Sequence, residues 1–158
     1  LTNFTALMKK LIDVYPYRRK GTNIEFLILK RSSKKIYANQ WRMVGGKVEE
    51  GETFWEAGLR ELNEELSEKP RQFWTVPSVN TFYEHKTDAI HQIPAFAAQI
   101  EWHDERIKLD NEHSGYLWVK VDKIDEYIHW PEQKRLIRLI DEILTNQQIL
   151  PEWIIEIK

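Results

Sequence analysis

The sequence feature that most restricts the fold is a charged segment between residues 45 and 67, which reads GGKVEEGETFWEAGLRELNEELS. An α-helix turns by about 100° per residue, and at that pitch the apolar residues after position 53 fall on one side. This periodicity predicts a helix over Thr53–Ser67. Its predicted buried stripe comprises Trp55, Leu59, Leu62 and Leu66. Thr53 and Glu56 have the three-residue spacing of a capping box, which predicts that the helix begins there.

The same helix carries three glutamates on one arc. Glu61, Glu64 and Glu65 share a face because residues three and four apart are neighbours on a helix. Like charges at this spacing destabilise an exposed helix by a few tenths of a kcal/mol, and by more where water is excluded. A hard cation such as Mg²⁺ would offset the repulsion, since it takes oxygen ligands. The alternative is a solvated acidic face, which is the usual role of an isolated E-x-x-E-E.

The spacing of the charged residues decides between these alternatives. It follows the pattern G-x5-E-x7-R-E-U-x-E-E-x-G-U, where U is a bulky aliphatic residue. The matching positions are Gly46, Glu52, Arg60, Glu61, Leu62, Glu64 and Glu65. The segment therefore resembles the Nudix box, the signature of hydrolases that use a divalent cation and water to cleave pyrophosphate bonds in nucleoside-diphosphate-linked compounds.

The end of the segment departs from that pattern. Ser67 stands where the pattern has its last glycine, and Glu68 where it has its last aliphatic residue. The glycine normally ends the helix in a left-handed turn, a conformation that costs other residues about 1 kcal/mol. The departure therefore predicts a helix that runs on to Lys69 and stops at Pro70, while the acidic positions one turn earlier are unaffected.

The resemblance implies a role for each matching position. In Nudix hydrolases the box forms a loop, a helix and a loop, and its glutamates bind Mg²⁺, for which Mn²⁺ can substitute. Carried over, Glu61 and Glu65 are metal ligands, and Glu64 is either a ligand or the base that deprotonates water. Arg60 and Glu52 orient these carboxylates. A backbone carbonyl at Gly45 is implied as a further ligand.

Features outside the box resemble one branch of the family, the dihydroneopterin triphosphate and dATP pyrophosphohydrolases. That branch has a strand that ends in Arg and a Trp before the box, which correspond to Arg31 and Trp41. It also has a Glu-His-x-x-Tyr-x-Trp segment downstream, and residues 112–118 read EHSGYLW. The family often takes a further metal ligand or base from such a downstream loop. The resemblance therefore implies that Glu112 has this role.

The rest of the chain predicts an α/β (α+β) fold, a mixed β-sheet between helices, in one domain over residues 1–158. Alternating or continuous apolar runs predict strands at Lys10–Tyr17, Asn23–Lys30, Trp41–Val44, Phe73–His85, Ile90–Trp102 and Tyr116–Val121. Gly45 and Gly46 are expected to break the third of these strands. A second helix is predicted over Pro131–Thr145, with Pro131 at its first position. Its apolar stripe comprises Leu136, Ile137, Ile140, Ile143 and Leu144.

Several residues near the box are candidates for substrate contact. Arg31 and Lys47 are candidates for the phosphates, since charge-assisted hydrogen bonds suit polyphosphates, although such residues are usually just solvated. Trp41 and Tyr83 (or its neighbour Phe82) could stack on a base or pterin ring, and core or surface packing is the alternative for each. His91 could hydrogen-bond a ring or a phosphate, with a plain surface histidine as the alternative.

Composition excludes several classes of function. The net charge of -2 argues against a binder of nucleic-acid duplexes, which usually carries a basic surplus. The absence of cysteine excludes disulfides, thiolate metal sites and the cysteine-dependent isopentenyl diphosphate isomerases, a related branch. No apolar run approaches the length of a membrane span, so we expect no membrane partner and a cytoplasmic location. Monomer and homodimer both stay open.

Three functions fit these observations. The first is hydrolysis of a nucleoside or pterin triphosphate to a monophosphate and pyrophosphate. The second is hydrolysis of a dinucleoside polyphosphate, ADP-ribose or a nucleotide sugar; relatives acting on the last two often carry an added N-terminal segment, and only nine residues precede the first predicted strand. The third is a non-catalytic nucleotide sensor, which is disfavoured because sensors tend to lose one of the glutamates kept here.

Overall fold

The computed structural model describes residues 10–35 and 37–157, and within these ranges it has eight strands and two α-helices. The strands are Leu11–Lys20 (β1), Asn23–Arg31 (β2), Trp41–Arg42 (β3), Val44–Lys47 (β4), Gln72–Glu84 (β5), Ala89–Gln99 (β6), His113–Val119 (β7) and Ile154–Ile155 (β8). The helices are Phe54–Leu66 (α1) and Pro131–Thr145 (α2), and 3₁₀ turns cover Val121–Glu126 and Pro151–Trp153. The remaining residues of the predicted 1–158 domain lie outside the described ranges.

One mixed sheet contains all the described strands. Its order is β3-β2-β1-β6-β5-β8, with β4 also pairing with β1 and β7 with β2. The pairing of β1 with β6 is parallel, whereas the other pairings are antiparallel. Strand β8 was not predicted from the sequence; its residues Ile154 and Ile155 pair with the start of β5.

The strand β1 lies at the centre and separates two apolar layers, because successive side chains of a strand point to opposite faces. Ile12 and Val14 belong to the layer under α1. Tyr15 and Tyr17 belong to the layer under α2. The whole predicted stripe of α2 is buried in that second layer: Leu136, Ile137, Ile140, Ile143 and Leu144. The predicted sheet between helices is confirmed.

The helix α1 begins where the capping box predicts. Thr53 caps it by accepting a hydrogen bond of 3.2 Å from the backbone N–H of Glu56, and the Glu56 carboxylate accepts one of 3.0 Å from the N–H of Thr53. Its end differs from the prediction. The helix stops at Leu66, and Ser67 adopts the left-handed conformation (φ 55°, ψ 37°) while donating its N–H to the carbonyl of Asn63. Pro70 disfavours helical backbone at the residue before it, so the predicted extension to Lys69 was wrong.

The predicted buried stripe of α1 was only partly right. Leu62 and Leu66 are buried, but Leu59 is partly exposed and Trp55 is 37% exposed. The helix turns Ala57 and Gly58 toward the sheet instead. A Cβ on residue 58 would lie 3.2 Å from the ring of Phe73, so the helix approaches the sheet closely at this point. The small residues allow that approach, and the bulky Trp55 is left at the rim.

The Gly45-Gly46 pair does not break a strand. Both glycines lie inside β4, where Gly45 pairs with Asp13 and Gly46 with Ile12 of β1. The interruption falls two residues before Gly45, at Met43, between β3 and β4. Close packing above the strand, and not a turn, therefore accounts for glycine at these positions.

Among the described residues, no helix is long and apolar enough to cross a membrane.

Candidate active site

Arg60 organises the acidic end of α1. Its Nε and Nη2 donate hydrogen bonds of 2.8 and 3.0 Å to the two carboxylate oxygens of Glu52. Nη1 donates to Glu61 at 2.8 Å and to Glu64 at 3.2 Å, and Nη2 also donates to the carbonyl of Lys47 at 2.8 Å. These bonds fasten the loop before the helix to the helix itself. The bond from Arg60 lowers the pKa of Glu52, and the same carboxylate raises the pKa of Arg60.

Gly46 lies directly beneath the Glu61 side chain. A Cβ at residue 46 would overlap the carboxyl group of Glu61. At Gly45 a Cβ would lie 3.2 Å from the carbonyl oxygen of Ile12 and 3.3 Å from Oδ1 of Asp13. Gly46 thus brings the backbone of β4 against the acidic face of α1, whereas Gly45 packs against β1.

Glu65 is the buried carboxyl group of the site, with 3% of the residue exposed. Burial, and then the neighbouring Glu61, raise the pKa of Glu65 to about 10. Burial also raises the pKa of Glu61. With both groups ionised, Oε2 of Glu65 has no hydrogen-bond partner among the described residues. A shared proton or a bound cation would relieve the repulsion within this pair.

The buried side chain of His113 contacts the carboxyl group of Glu65. Its Nε2 lies 3.4 Å from Oε1 of Glu65, and its Nδ1 lies 2.7 Å from Oδ1 of Asp110. The backbone N–H of Asp110 also donates to the carbonyl of Glu65 at 3.3 Å. The loop before β7 thus packs on the end of α1. The sequence analysis quoted His113 as part of the downstream motif but gave it no role.

Two of the proposed acidic residues remain at the surface. The side chain of Glu64 is 54% exposed, and that of Glu112 is 45% exposed. Glu112 lies 3.8 Å from Nη1 of Arg31 and 4.0 Å from Nζ of Lys35, and its charge also acts on Glu65. In the part of the chain that is described, no three histidine or carboxylate groups are already gathered as a complete metal site.

The residues suggested for stacking divide between two places. Trp41 lines a cleft of about 130 Å³ together with Gln40, Arg42, His129 and Trp130. Tyr83 lies at the far end of the β5–β6 hairpin, 59% exposed, and its hydroxyl donates to Asp88 in the adjacent turn at 2.8 Å. Trp41 is thus placed in a cavity, whereas Tyr83 is engaged in its own hairpin and away from that cleft.

His91 and Phe82 face the cleft side of the hairpin. Their rings stack with centroids 4.8 Å apart, and Phe82 meets the ring of Trp130 edge-on at 5.0 Å. Neither Trp130 nor Arg42 was predicted from the sequence to be a site residue. The only sequence signal for Trp130 is its place immediately before Pro131, at the predicted start of α2.

A model of the NUDIX domain matches residues 10–140. The chain belongs to the Nudix family. Among its relatives is the asymmetrical bis(5'-nucleosyl)-tetraphosphatase of Caenorhabditis elegans, 26% identical over 142 residues that cover 89% of this chain and 99% of the relative. Another is the nucleoside triphosphatase NudI of Escherichia coli, 28% identical over 110 residues that cover 65% of this chain and 77% of NudI.

Solved Nudix structures share the fold. A Nudix hydrolase structure from Listeria monocytogenes aligns with a TM-score of 0.72 at 22% identity, covering 89% of this chain and 97% of that one. A C. elegans Ap4A hydrolase complex aligns with a TM-score of 0.69 at 22% identity, covering 87% and 99%. These relatives support a Nudix pyrophosphohydrolase, and they do not support the narrower dihydroneopterin triphosphate or dATP branch.

Proposed function

We propose that this Nudix protein hydrolyses a pyrophosphate bond in a nucleoside polyphosphate with the help of Mg²⁺, for which Mn²⁺ can substitute. One observation carries the proposal: Arg60 holds an acidic cluster in which the buried Oε2 of Glu65 has no hydrogen-bond partner among the described residues. A buried carboxylate without a partner is costly, and a cation that binds it removes that cost.

The residues present fit a hard divalent cation. Carboxylates of Glu61 and Glu65 and the carbonyl of Gly45 supply the oxygen donors that Mg²⁺ prefers, with Glu64 and Glu112 as further ligands. When bound, the cation would neutralise phosphate oxygens and acidify a coordinated water. Substrate phosphates would complete the coordination, because no three histidine or carboxylate side chains among the described residues are gathered closely enough to hold the ion by themselves.

The chain's own residues would position the carboxylates and accept the proton of the attacking water. Arg60 keeps Glu52, Glu61 and Glu64 in fixed relative positions, so the carboxylates do not have to be ordered when substrate binds. Glu64 is held at 3.2 Å by Arg60 yet half-exposed, which suits a base that takes the proton of an incoming water. Glu112 is the second candidate for this base.

The substrate's phosphates would meet the basic residues that border the cluster. Arg31 lies beside Glu112, and Lys47 is in β4, its carbonyl bonded to Arg60. Trp41 and His91 are the ring-contacting candidates that face the cleft side of the sheet. Tyr83 stays a candidate only if a substrate reaches the end of the hairpin.

Two substrate classes are candidates. A nucleoside or pterin triphosphate would yield a monophosphate and pyrophosphate. A dinucleoside tetraphosphate is the second candidate, favoured by the match along 99% of the C. elegans tetraphosphatase. Both present a polyphosphate chain attached to an aromatic ring. The acidic cluster with a bound cation and the basic residues at its border would suit the phosphates, and the aromatic cleft would suit the ring.

A substrate panel tests the proposal. Nucleoside triphosphates, dihydroneopterin triphosphate, dinucleoside polyphosphates and ADP-ribose would each be incubated with Mg²⁺ or with chelator, and the products separated by chromatography. We expect Mg²⁺-dependent cleavage of at least one polyphosphate, and Glu64→Gln should lower kcat by orders of magnitude. Glu142→Gln, a change on the exposed face of α2, is the matched control. Binding without cleavage of any substrate would instead indicate a nucleotide sensor.

A further inference from the structure

The aromatic cleft contains a guanidinium group that has no hydrogen-bond acceptor among the described residues. Arg42 is partly buried on β3 and lines the cleft with Trp41 and Trp130. Its guanidinium lies 4.3 Å from the centre of the Tyr37 ring and 5.9 Å from that of Trp130. Within residues 10–35 and 37–157 it has neither a hydrogen-bond acceptor nor a carboxylate in ion-pair contact.

Asp13, a buried acid whose charge acts on Arg42, already has other hydrogen-bond partners. Asp13 accepts a hydrogen bond of 2.9 Å from Nδ2 of Asn80 and one of 3.4 Å from the hydroxyl of Tyr15. Oδ1 of Asn80 in turn accepts from the indole of Trp130 at 3.3 Å. Asp13 attracts Arg42 through space, and burial lowers the pKa of that guanidinium. The donors of Arg42 therefore have no acceptor among the described residues, and the side chain lines the cleft.

The cleft combines three properties of a ring-recognition site. Its walls are indole rings, which can stack on a planar heterocycle. The Trp130 ring is fixed from behind by Asn80 and from the side by Phe82, so it is rigid before a ligand arrives. Arg42 adds a planar fork of donors that accepts nothing in return.

We propose that this cleft binds the heterocycle of the substrate, and that Arg42 selects a ring with two adjacent acceptors, namely a 6-oxopurine such as guanine or the similar edge of a pterin. Guanine presents O6 and N7, both acceptors, to an arginine fork. Adenine presents the acceptor N7 beside the N6 amino group, which is a donor. An N–H of the guanidinium would therefore meet another donor at N6. The inference rests on the proposed function, because it assigns the ring of that substrate.

Binding without metal separates this inference from the proposed function. Calorimetric titrations in chelator would compare GMP, AMP, 7-deaza-GMP, which lacks the N7 acceptor, and neopterin monophosphate. We expect GMP to bind about tenfold to a hundredfold more tightly than AMP, the range of a two-point contact, and 7-deaza-GMP to lose most of that gain. The relative affinities of GMP and neopterin monophosphate identify which of the two rings the cleft prefers.

Arg42→Gln supplies the decisive variant, since glutamine pairs with the N6 and N7 edge of adenine. It should abolish or invert the preference for GMP, whereas Arg138→Gln, an exposed arginine of α2 paired with Asp125, should leave it unchanged. Equal affinity of the wild-type protein for GMP and AMP, no binding of any ring, or a preference that survives in Arg42→Gln would each overturn the inference. If the variant does not fold, the wild-type comparison with 7-deaza-GMP still decides. Selective binding by a protein that cleaves nothing would contradict only the proposed function.

Discussion

Glu65→Gln should stabilise the metal-free protein and weaken its stabilisation by metal. Glutamine keeps the shape of the side chain and can donate to Glu61, but it never has to be ionised in a buried position. In the wild-type protein the Glu65 carboxyl group is 3% exposed, and burial followed by the charge of Glu61 raises its pKa to about 10. Folding without metal therefore requires Glu65 to take up a proton that the unfolded chain does not hold at neutral pH.

The size of the effect follows from proton linkage. The folded pKa lies above the unfolded value of 4.5, so the stability that this group contributes is complete below pH 4.5 and is lost as the pH rises toward 10. The loss is about 1.4 kcal/mol per pH unit. At pH 7, which is 2.5 units above the unfolded pKa, the wild-type protein would be less stable than the variant by roughly 3 kcal/mol. At about 2–4 °C per kcal/mol for a chain of this size, the melting temperature should differ by several degrees.

Melting curves with chelator and with excess Mg²⁺, at pH 5, 7 and 9, measure this directly. In chelator the wild-type curve should fall in temperature with rising pH more steeply than that of Glu65→Gln. In excess Mg²⁺ the difference in melting temperature between Glu65→Gln and the wild-type protein should shrink or change sign. The reason is that a ligand that binds only the folded state stabilises it by RT ln(1 + [L]/Kd), and the variant should bind Mg²⁺ more weakly. Glu142→Gln controls for loss of one charge. If Glu65→Gln shifts both curves equally, Glu65 is not a metal ligand.

Three further changes test other parts of the site. Glu112→Gln should lower kcat more than it raises KM if Glu112 supplies a base or ligand, and steady-state kinetics that show only a KM effect would assign it to substrate binding. Gly46→Ala should destabilise the protein by about 1–3 kcal/mol in urea unfolding and reduce activity, because the new methyl group overlaps the Glu61 carboxyl group; Gly115→Ala, which meets nothing closer than 4.0 Å, should be nearly neutral. Ser67→Gly should stabilise by roughly 1 kcal/mol, since glycine adopts the left-handed cap without strain; an unchanged unfolding midpoint would refute that cost.

The position of the acidic helix could be predicted because its determinants are local. The capping box joins Thr53 and Glu56 across a single turn, and the three glutamates share an arc through helix pitch alone. The stripe of α2 was correct for the same reason. The end of α1 was predicted wrongly. Ser67 adopts the left-handed conformation, which is strained for serine, and its N–H donates a hydrogen bond to the carbonyl of Asn63 that the sequence pattern does not reveal.

The chain by itself determined which residues carry charge and at what spacing, and hence the family. Only the tertiary structure decided which of them are buried. Glu65 differs from Glu64 because the loop of Asp110 and His113 folds over one and not over the other. The cleft likewise joins Arg42 to Trp130, which are far apart in sequence. Contacts of this kind depend on strand register and on the rotation of each helix about its axis, and these are set by packing of the whole molecule rather than by neighbours along the chain.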